Sequence, residues 1–178
     1  MLVSKRLILQ NRNYRTRILS GLTEAGQPAW DALVRSQAEA NPFLSHAFLQ
    51  ALHASGSASE DTGWQPQFLS LWQEDALVAA LPMYAKFHSY GEYVFDWAWA
   101  DAYRRNGIDY YPKLLSAIPF TPVTGPRLLA IDDVARTALV AALQSVQQAS
   151  GLSSTHILYP PEVEARQLEA AGFMLRKG

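Results

Sequence analysis

The chain has 178 residues, of which 49% are hydrophobic and 17% are charged. This composition forms a hydrophobic core and excludes general disorder, and the length fits one domain. Fifteen Lys and Arg residues against sixteen Asp and Glu residues give a formal net charge of -1, which excludes a protein that coats nucleic acid. The absence of cysteine excludes disulfides, thiolate metal sites and a cysteine nucleophile.

The N-terminus lacks the pattern of an export signal, because Lys5 and Arg6 interrupt its apolar residues. No stretch approaches the ~18 apolar residues that span a bilayer. We therefore expect a cytoplasmic, soluble protein without a membrane span and without a DNA partner. Residues 1–13 are expected to be either a leader or an extra edge strand.

The first half of the chain predicts strands and two helices. Pro28 near the first turn favours a helix over 26–40, and Ser45 caps a second helix. Pro82 indicates a bulge or an edge position in the last strand of this half. The predicted strands cover 14–20, 65–72 and 77–87, with a hairpin turn at 74–75.

The second half alternates strands with helices. Asp132 or Asp133 caps a helix that runs to about Ser150, and Pro160-Pro161 opens another that ends at Gly172. Strands are predicted over 122–131 and 155–159, and a further strand starts at Phe173. The order of elements predicts an α/β domain. Because the chain stops as that last strand begins, we expect either a short terminal strand or a fragment of a longer protein.

Half of the aromatic residues lie in a short segment: ten of twenty fall between Tyr84 and Tyr111. Those from Tyr93 to Trp99 alternate at period two, as in a strand, but the residues from Trp97 onward fit a helix equally well. Glu92, Asp96 and Asp101 are interspersed among the rings. Rings with a few fixed carboxylates are typical of a polar substrate pocket, although packing alone explains any single ring.

Buried carboxylates in this segment need partners, and the nearby candidates are Arg104, Arg105 and Lys113. The four histidines lack metal-ligand spacing, so we expect no metal site. Two prolines and a glycine within 120–129 predict an irregular strand entry with unpaired backbone N–H groups beside Arg127. Such a place suits an oxyanion or a carboxylate, and a turn without a ligand is the alternative.

The segments 41–46, 88–103 and 110–113, the last together with 119–127, resemble the FemAB-like peptidoglycan biosynthesis/recognition proteins of the GNAT acyl-CoA N-acyltransferase superfamily. The resemblance implies a GNAT-like mixed, splayed β-sheet flanked by helices. Family members are roughly twice this length, which implies that 14–178 is the N-terminal domain and that a C-terminal GNAT-like domain is missing.

One departure from the superfamily pattern concerns the binding of the acyl donor. The loop that holds acetyl-CoA in ordinary GNAT enzymes, Q/R-x-x-G-x-G/A, has no counterpart, because 127–134 contains no glycine.

The resemblance implies transfer of an acyl or aminoacyl group to the amine of a small molecule or a peptidoglycan precursor. The donor stays open between acyl-CoA and aminoacyl-tRNA. In this hypothesis Glu92 or Asp96 takes the amine proton, Tyr93 protonates the leaving group, and N–H groups near Thr124 and Gly125 stabilise the oxyanion. The other predicted substrate-binding residues are His88, Tyr90, Trp97, Trp99, Asp101, Tyr110, Tyr111, Lys113 and Arg127.

Two other functions stay open at this point. The aromatic segment suits a peptidoglycan or glycopeptide recognition module without chemistry, because rings stack well on sugar faces. A small-molecule N-acetyltransferase is the third hypothesis, and the absent glycine loop disfavours it. A homo-oligomer is compatible with each of these hypotheses.

Overall fold

The structure, a computed structural model, describes residues 13–94 and 96–176. These residues form an α/β fold with the helices α1 (Gln27–Arg35), α2 (His46–Ala54), α3 (Trp97–Arg105), α4 (Asp133–Ser150) and α5 (Glu162–Ala170). The strands are β1 (Arg15–Leu19), β2 (Trp64–Pro66), β3 (Phe68–Gln73), β4 (Ala76–Leu81), β5 (Tyr84–Lys86), β6 (Lys113–Ser116), β7 (Leu129–Ala130) and β8 (Thr155–Ile157).

The strands form two four-stranded sheets, with the orders β1-β3-β4-β7 and β2-β5-β6-β8. Every strand pair is antiparallel except β6 with β8, which is parallel. The β2–β3 and β4–β5 segments run through both sheets, and the N–H of Gln67 donates to the carbonyl of Met83 at 2.8 Å between them. Pro82 lies at this break between β4 and β5, which are inner strands of the two sheets, so in place of the predicted bulge or edge position it marks the point where the chain passes from one sheet to the other.

Helices cover both faces of the sheets. On one face α1 and α2 bury residues such as Trp30 and Leu49 against Phe68. On the other face α4 and α5 bury residues such as Leu139 and Leu168. The predicted caps are present, since Asp132 accepts from the N–H of Ala135 at 2.8 Å and Ser45 accepts from that of Phe48 at 3.3 Å.

Three elements differ from the prediction. Only Leu129–Ala130 of the predicted strand 122–131 forms a strand, because Pro122 and Pro126 have no N–H to donate to a ladder. The predicted strand that starts at Phe173 is irregular through Arg176. Of the two alternatives left open for the residues from Trp97, the structure has the helix, α3. Strand β6 has no counterpart in the prediction.

Residues 1–12 lie outside the described residues, so the expected leader or edge strand there stays a prediction. Within 13–94 and 96–176, no helix combines the length and the apolar character that crossing a membrane requires.

Candidate functional site

The segment between β5 and α3 buries its charged groups and exposes its aromatic rings. Glu92 and Asp96 are 3% and 2% exposed, whereas Tyr90, Tyr93 and Trp97 are 73%, 57% and 63% exposed. Folding usually places apolar rings inside and carboxylates in water. In this reversed arrangement the rings are exposed and available for contact. The buried carboxylates attach the segment to the interior of the protein.

Lys113 on β6 is the centre of the buried charges. Its Nζ lies 3.0 Å from Oε2 of Glu92 and 2.6 Å from Oδ2 of Asp96, and all three side chains are almost completely buried. The backbone explains the meeting, because Lys113 pairs in register with Lys86 of β5, whose strand leads directly into the 88–96 segment. Of the three candidate cations, Lys113 pairs with Glu92 and Asp96, whereas Arg104 and Arg105 pair with Asp101.

The two carboxylates differ in their electrostatics. Burial raises the pKa of Glu92, and the charge and hydrogen bond of Lys113 compensate only in part. Burial also opposes the ionisation of Asp96, but the hydrogen bond and charge of Lys113 outweigh it and lower the pKa of Asp96. Oε1 of Glu92 has no hydrogen-bond partner in the described part of the chain. Glu92 is therefore the carboxylate with proton-accepting capacity left.

Two tyrosines complete the cluster. The hydroxyl of Tyr111 donates to Oδ1 of Asp96 at 2.9 Å, and Lys113 Nζ lies 5.2 Å from the Tyr110 ring centroid and 5.3 Å from that of Tyr111. Burial, followed by the neighbouring carboxylate of Asp96, raises the pKa of both phenols. Both hydroxyls stay protonated at neutral pH; that of Tyr111 donates to Asp96, whereas the buried hydroxyl of Tyr110 has no hydrogen-bond partner among the described residues.

Lys86 is a member of this site that the sequence prediction missed. Its Nζ donates to the carbonyls of His88 at 2.7 Å and Tyr90 at 3.0 Å, and it lies 4.2 Å from the centroid of the Trp64 ring. Burial lowers the pKa of Lys86 to about 8. The signal that could have identified Lys86 is a lysine inside the predicted strand 77–87, because a buried ammonium group is costly unless it is paired.

His156 of β8 was also missed. Burial and then the charge of Lys113 lower its pKa to about 4, so its imidazole is neutral at physiological pH. Nε2 of His156 lies 3.0 Å from the hydroxyl of Ser154. The predicted His88 is half-buried beside the cluster, and its Nδ1 accepts from the N–H of Tyr90 at 3.3 Å.

Helix α3 borders an open depression of about 680 Å³ whose lining includes Trp97, Asp101, Tyr110 and Tyr111. Nε1 of Trp97 donates to the Ser89 hydroxyl at 3.1 Å. Asp101, however, forms ion pairs with Arg104 and Arg105 on its own helix and lies apart from the Lys113 cluster. Trp99 stands beside Arg176, whose guanidinium carbon is 5.1 Å from the ring centroid.

The 120–129 segment is occupied by its own side chains. The guanidinium of Arg127 is fully buried and donates to the carbonyls of Val123, Gly125 and Leu158 at 2.9–3.0 Å. The N–H of Gly125 donates to the carbonyl of Tyr159, and those of Arg127 and Leu128 donate to Oε2 of Glu164. The expected unpaired N–H groups beside Arg127 are thus taken, and an oxyanion or a carboxylate would have to displace these bonds. Thr124 is exposed at the surface.

A family sequence model described as FemAB-like, peptidoglycan biosynthesis/recognition, matches residues 21–178. The chain belongs to this family. An acetyltransferase of Trypanosoma brucei is a similar solved structure, with a TM-score of 0.51, 12% identity and coverage of 93% of this chain and 96% of that chain. This similarity shows the fold alone, and the expected mixed α/β fold of an acetyltransferase is confirmed. A comparison with curated proteins gives no match.

The start of the long helix α4 of this FemAB-like chain carries carboxylates where the pyrophosphate of the acetyl-CoA that GNAT enzymes use would need N–H donors. The carboxylate of Asp132 already accepts the N–H of Ala135 there, and Asp133 adds a second carboxylate, which pairs with Arg136. A pyrophosphate needs free N–H groups and a positive field at a helix start. The residues present therefore do not fit a CoA pyrophosphate at α4. No group of three or more His, Asp or Glu side chains across the described ranges is placed to hold a metal ion.

Proposed function

We propose that this FemAB-like chain transfers an acyl or aminoacyl group to the amine of a peptidoglycan precursor in the cytoplasm. The family match over 21–178 supports the link to peptidoglycan, and the GNAT-like fold supports acyl transfer. The misfit at α4 favours a donor that is not held by a CoA pyrophosphate, such as an aminoacyl-tRNA. A C-terminal GNAT-like domain or a second copy of the chain completes the site in this proposal.

The observation that carries the proposal is Glu92, a buried carboxylate with a raised pKa and one unpartnered oxygen directly beneath exposed rings. In the transfer, the acceptor nitrogen bonds to the acyl carbon, the bond from that carbon to the leaving group breaks, and Glu92 takes the proton from nitrogen. Tyr93 returns a proton to the leaving group. Because the Glu92 side chain is fully buried, proton transfer needs one water or a shift of the 88–96 segment.

Lys113 and Asp96 prepare Glu92 for this role. Lys113 is shared by two carboxylates, so it does not fully neutralise either. Asp96, with its lowered pKa, stays ionised beside Lys113. Glu92 thereby keeps proton affinity nearer to neutral pH than an ordinary glutamate, which is where a general base works best.

The test is turnover of Glu92→Gln and Asp96→Asn with an aminoacyl-tRNA or acyl-CoA donor and a muropeptide amine acceptor. We expect Glu92→Gln to lower kcat by about 10²–10⁴-fold with the fold intact, the range for loss of a general base. Asp101→Asn is the matched control, because its carboxylate pairs only with Arg104 and Arg105 on α3. Unchanged turnover in both variants would refute the assignment.

A recognition module is the second candidate, and the exposure of the rings above buried carboxylates favours it. In that case the charged cluster only anchors the 88–96 segment, and the rings bind a muropeptide without chemistry. Titration separates the two functions. Muropeptide binding with no consumption of any donor would establish recognition and exclude the transferase.

A further inference from the structure

Three aromatic residues from three different loops adopt left-handed backbone angles at one place on the surface. The φ angles of Tyr93, Phe120 and Tyr159 are 58°, 58° and 54°. Non-glycine residues rarely adopt this conformation, and it persists only where the surrounding structure enforces it, often at binding sites. Glu74, the other described non-glycine residue with positive φ, lies in the β3–β4 hairpin turn, where the angle is ordinary.

Hydrogen bonds join the three loops. The N–H of Phe120 donates to the carbonyl of Gly91 at 3.1 Å, and the hydroxyl of Tyr159 donates to the carbonyl of Tyr93 at 3.2 Å. Gly91 has a φ of +81°, and a Cβ there would lie 2.6 Å from the Phe120 ring. The backbones of Phe120 and Tyr93 are therefore fixed by contacts that need no ligand, and the Phe120 ring centroid lies 5.8 Å from that of Trp64.

The surface that these loops present is aromatic and uncharged. Tyr90, Tyr93 and Phe120 are exposed, while the acidic groups of the same segment, Glu92 and Asp96, point inward to Lys113. The phenol hydroxyls of the two tyrosines and the exposed Thr124 supply neutral donors and acceptors. A pyranose ring has the matching chemistry, because one of its faces carries C–H groups and its rim carries hydroxyls.

We propose that Tyr90, Tyr93 and Phe120 form a saccharide subsite that stacks on a pyranose ring of the glycan portion of the acceptor. A stem peptide is a poorer match, since its carboxylates and ammonium groups would find no exposed charged partner in the described part of 87–97. That the sugar belongs to a transferase acceptor rests on the proposed function. The subsite itself rests on the surface alone.

The experiment is an NMR or calorimetric titration of the chain with a trisaccharide of N-acetylglucosamine and, separately, with a free stem pentapeptide. We expect the saccharide to bind, and Tyr93→Ala and Phe120→Ala each to weaken its affinity about tenfold, the scale of one lost ring contact. Phe87→Ala is the matched control, because its ring is 42% exposed, as is that of Phe120, and lines a separate depression with Val146 and Leu152. Tyr93→Phe keeps the ring and should keep the binding.

Tyr93→Gly separates a binding role from a structural one. It removes the ring and relieves the left-handed angle, so we expect the melting temperature to rise while saccharide affinity falls. A ring that served only packing would give a fall in both.

The remaining outcomes decide the proposal. Binding of the pentapeptide without the saccharide, or of neither ligand, would overturn it. Concentration-dependent self-association that Tyr93→Ala abolishes would show that a second copy covers the rings, which also overturns it. Saccharide binding without any acyl transfer would leave the subsite standing and remove the proposed transferase function.

Discussion

Lys113 Nζ lies 2.6 Å from Asp96 Oδ2, and both side chains are withdrawn from water. The same nitrogen lies 3.0 Å from Glu92, so one ammonium serves two carboxylates. Such a cluster is costly to bury, and its removal in parts is more damaging than its removal as a whole. The cluster ties Glu92 and Asp96 to Lys113 of β6. It thereby attaches the segment that carries the exposed rings to this strand.

Lys113→Met should destabilise the protein by about 3–5 kcal/mol, because it leaves two buried carboxylates without a cation. The measurement is urea unfolding at neutral pH. Adding Glu92→Gln and Asp96→Asn to Lys113→Met should recover much of that loss, since no uncompensated charge is left. Arg166→Met, which removes an exposed ion pair with Glu162, is the control and should leave the free energy of unfolding nearly unchanged. A cost for Lys113→Met as small as that of the control would contradict a buried charge cluster.

The pH dependence of stability should report on Lys86. Its pKa is lowered by burial from the ordinary 10.5 to about 8, so between these values the unfolded chain binds more protons than the folded one. Stability contributed by Lys86 therefore rises with pH across this window, by at most about 1.4 kcal/mol per pH unit. Below pH 8 the full cost of the buried charge is present.

The measurement for Lys86 compares urea unfolding of wild type and Lys86→Met between pH 7 and 10.5. The free energy of unfolding of wild type should increase relative to that of Lys86→Met as the pH rises. The charged groups that act on Lys86 are Glu92, Lys113 and Asp96, and Lys86 in turn acts on His88; all of these are retained in the variant. Parallel curves across this range would mean that the pKa of Lys86 is close to ordinary.

Local signals in the sequence predicted the helices well. Asp132 before an amphipathic run and Gly151 after it bound α4 as expected, because capping depends on adjacent residues. The four residues of β6 gave no comparable signal, since their pairing with β5 and β8 is made at a distance along the chain. The strand expected over 122–131 forms only at Leu129–Ala130, because Pro122 and Pro126 cannot donate to a ladder and the Arg127 side chain takes the carbonyls of Val123 and Gly125.

The sequence predicted which residues belong to the candidate site, but not which of them are buried and which are exposed. Lys113 was one of three candidate cations for the carboxylates of this segment, and it is the one that pairs with Glu92 and Asp96. That the carboxylates would be inside and the rings outside could not be predicted, because single-residue hydrophobicity gives the opposite order. Ligand binding by the exposed rings and the catalytic roles of Glu92 and Tyr93 stay predictions.

The contact between the 88–96 and 117–128 segments can be tested at a glycine. Gly91→Ala introduces a left-handed alanine whose Cβ would meet the Phe120 ring at 2.6 Å. Gly107→Ala, with a φ of +68° and no atom within 4 Å of its Cβ, carries the backbone cost without the clash. We expect about 1 kcal/mol of destabilisation for Gly107→Ala and clearly more for Gly91→Ala in urea unfolding. Equal losses would show that Phe120 moves away freely and that the two segments are not rigidly joined.

Calorimetric titration with acetyl-CoA tests the nature of the donor. The start of α4 is capped by Asp132, and Arg136 pairs with Asp133 in the same turn, so two carboxylates stand where a pyrophosphate would need N–H donors and a positive field. Wild type should therefore give no saturable heat, and Asp132→Asn should give none either, because an asparagine keeps the cap. Saturable binding with a Kd in the ~1 μM to 1 mM range of ordinary substrates would contradict this. It would also restore the small-molecule N-acetyltransferase hypothesis, since a donor that binds so well has a site elsewhere on the chain.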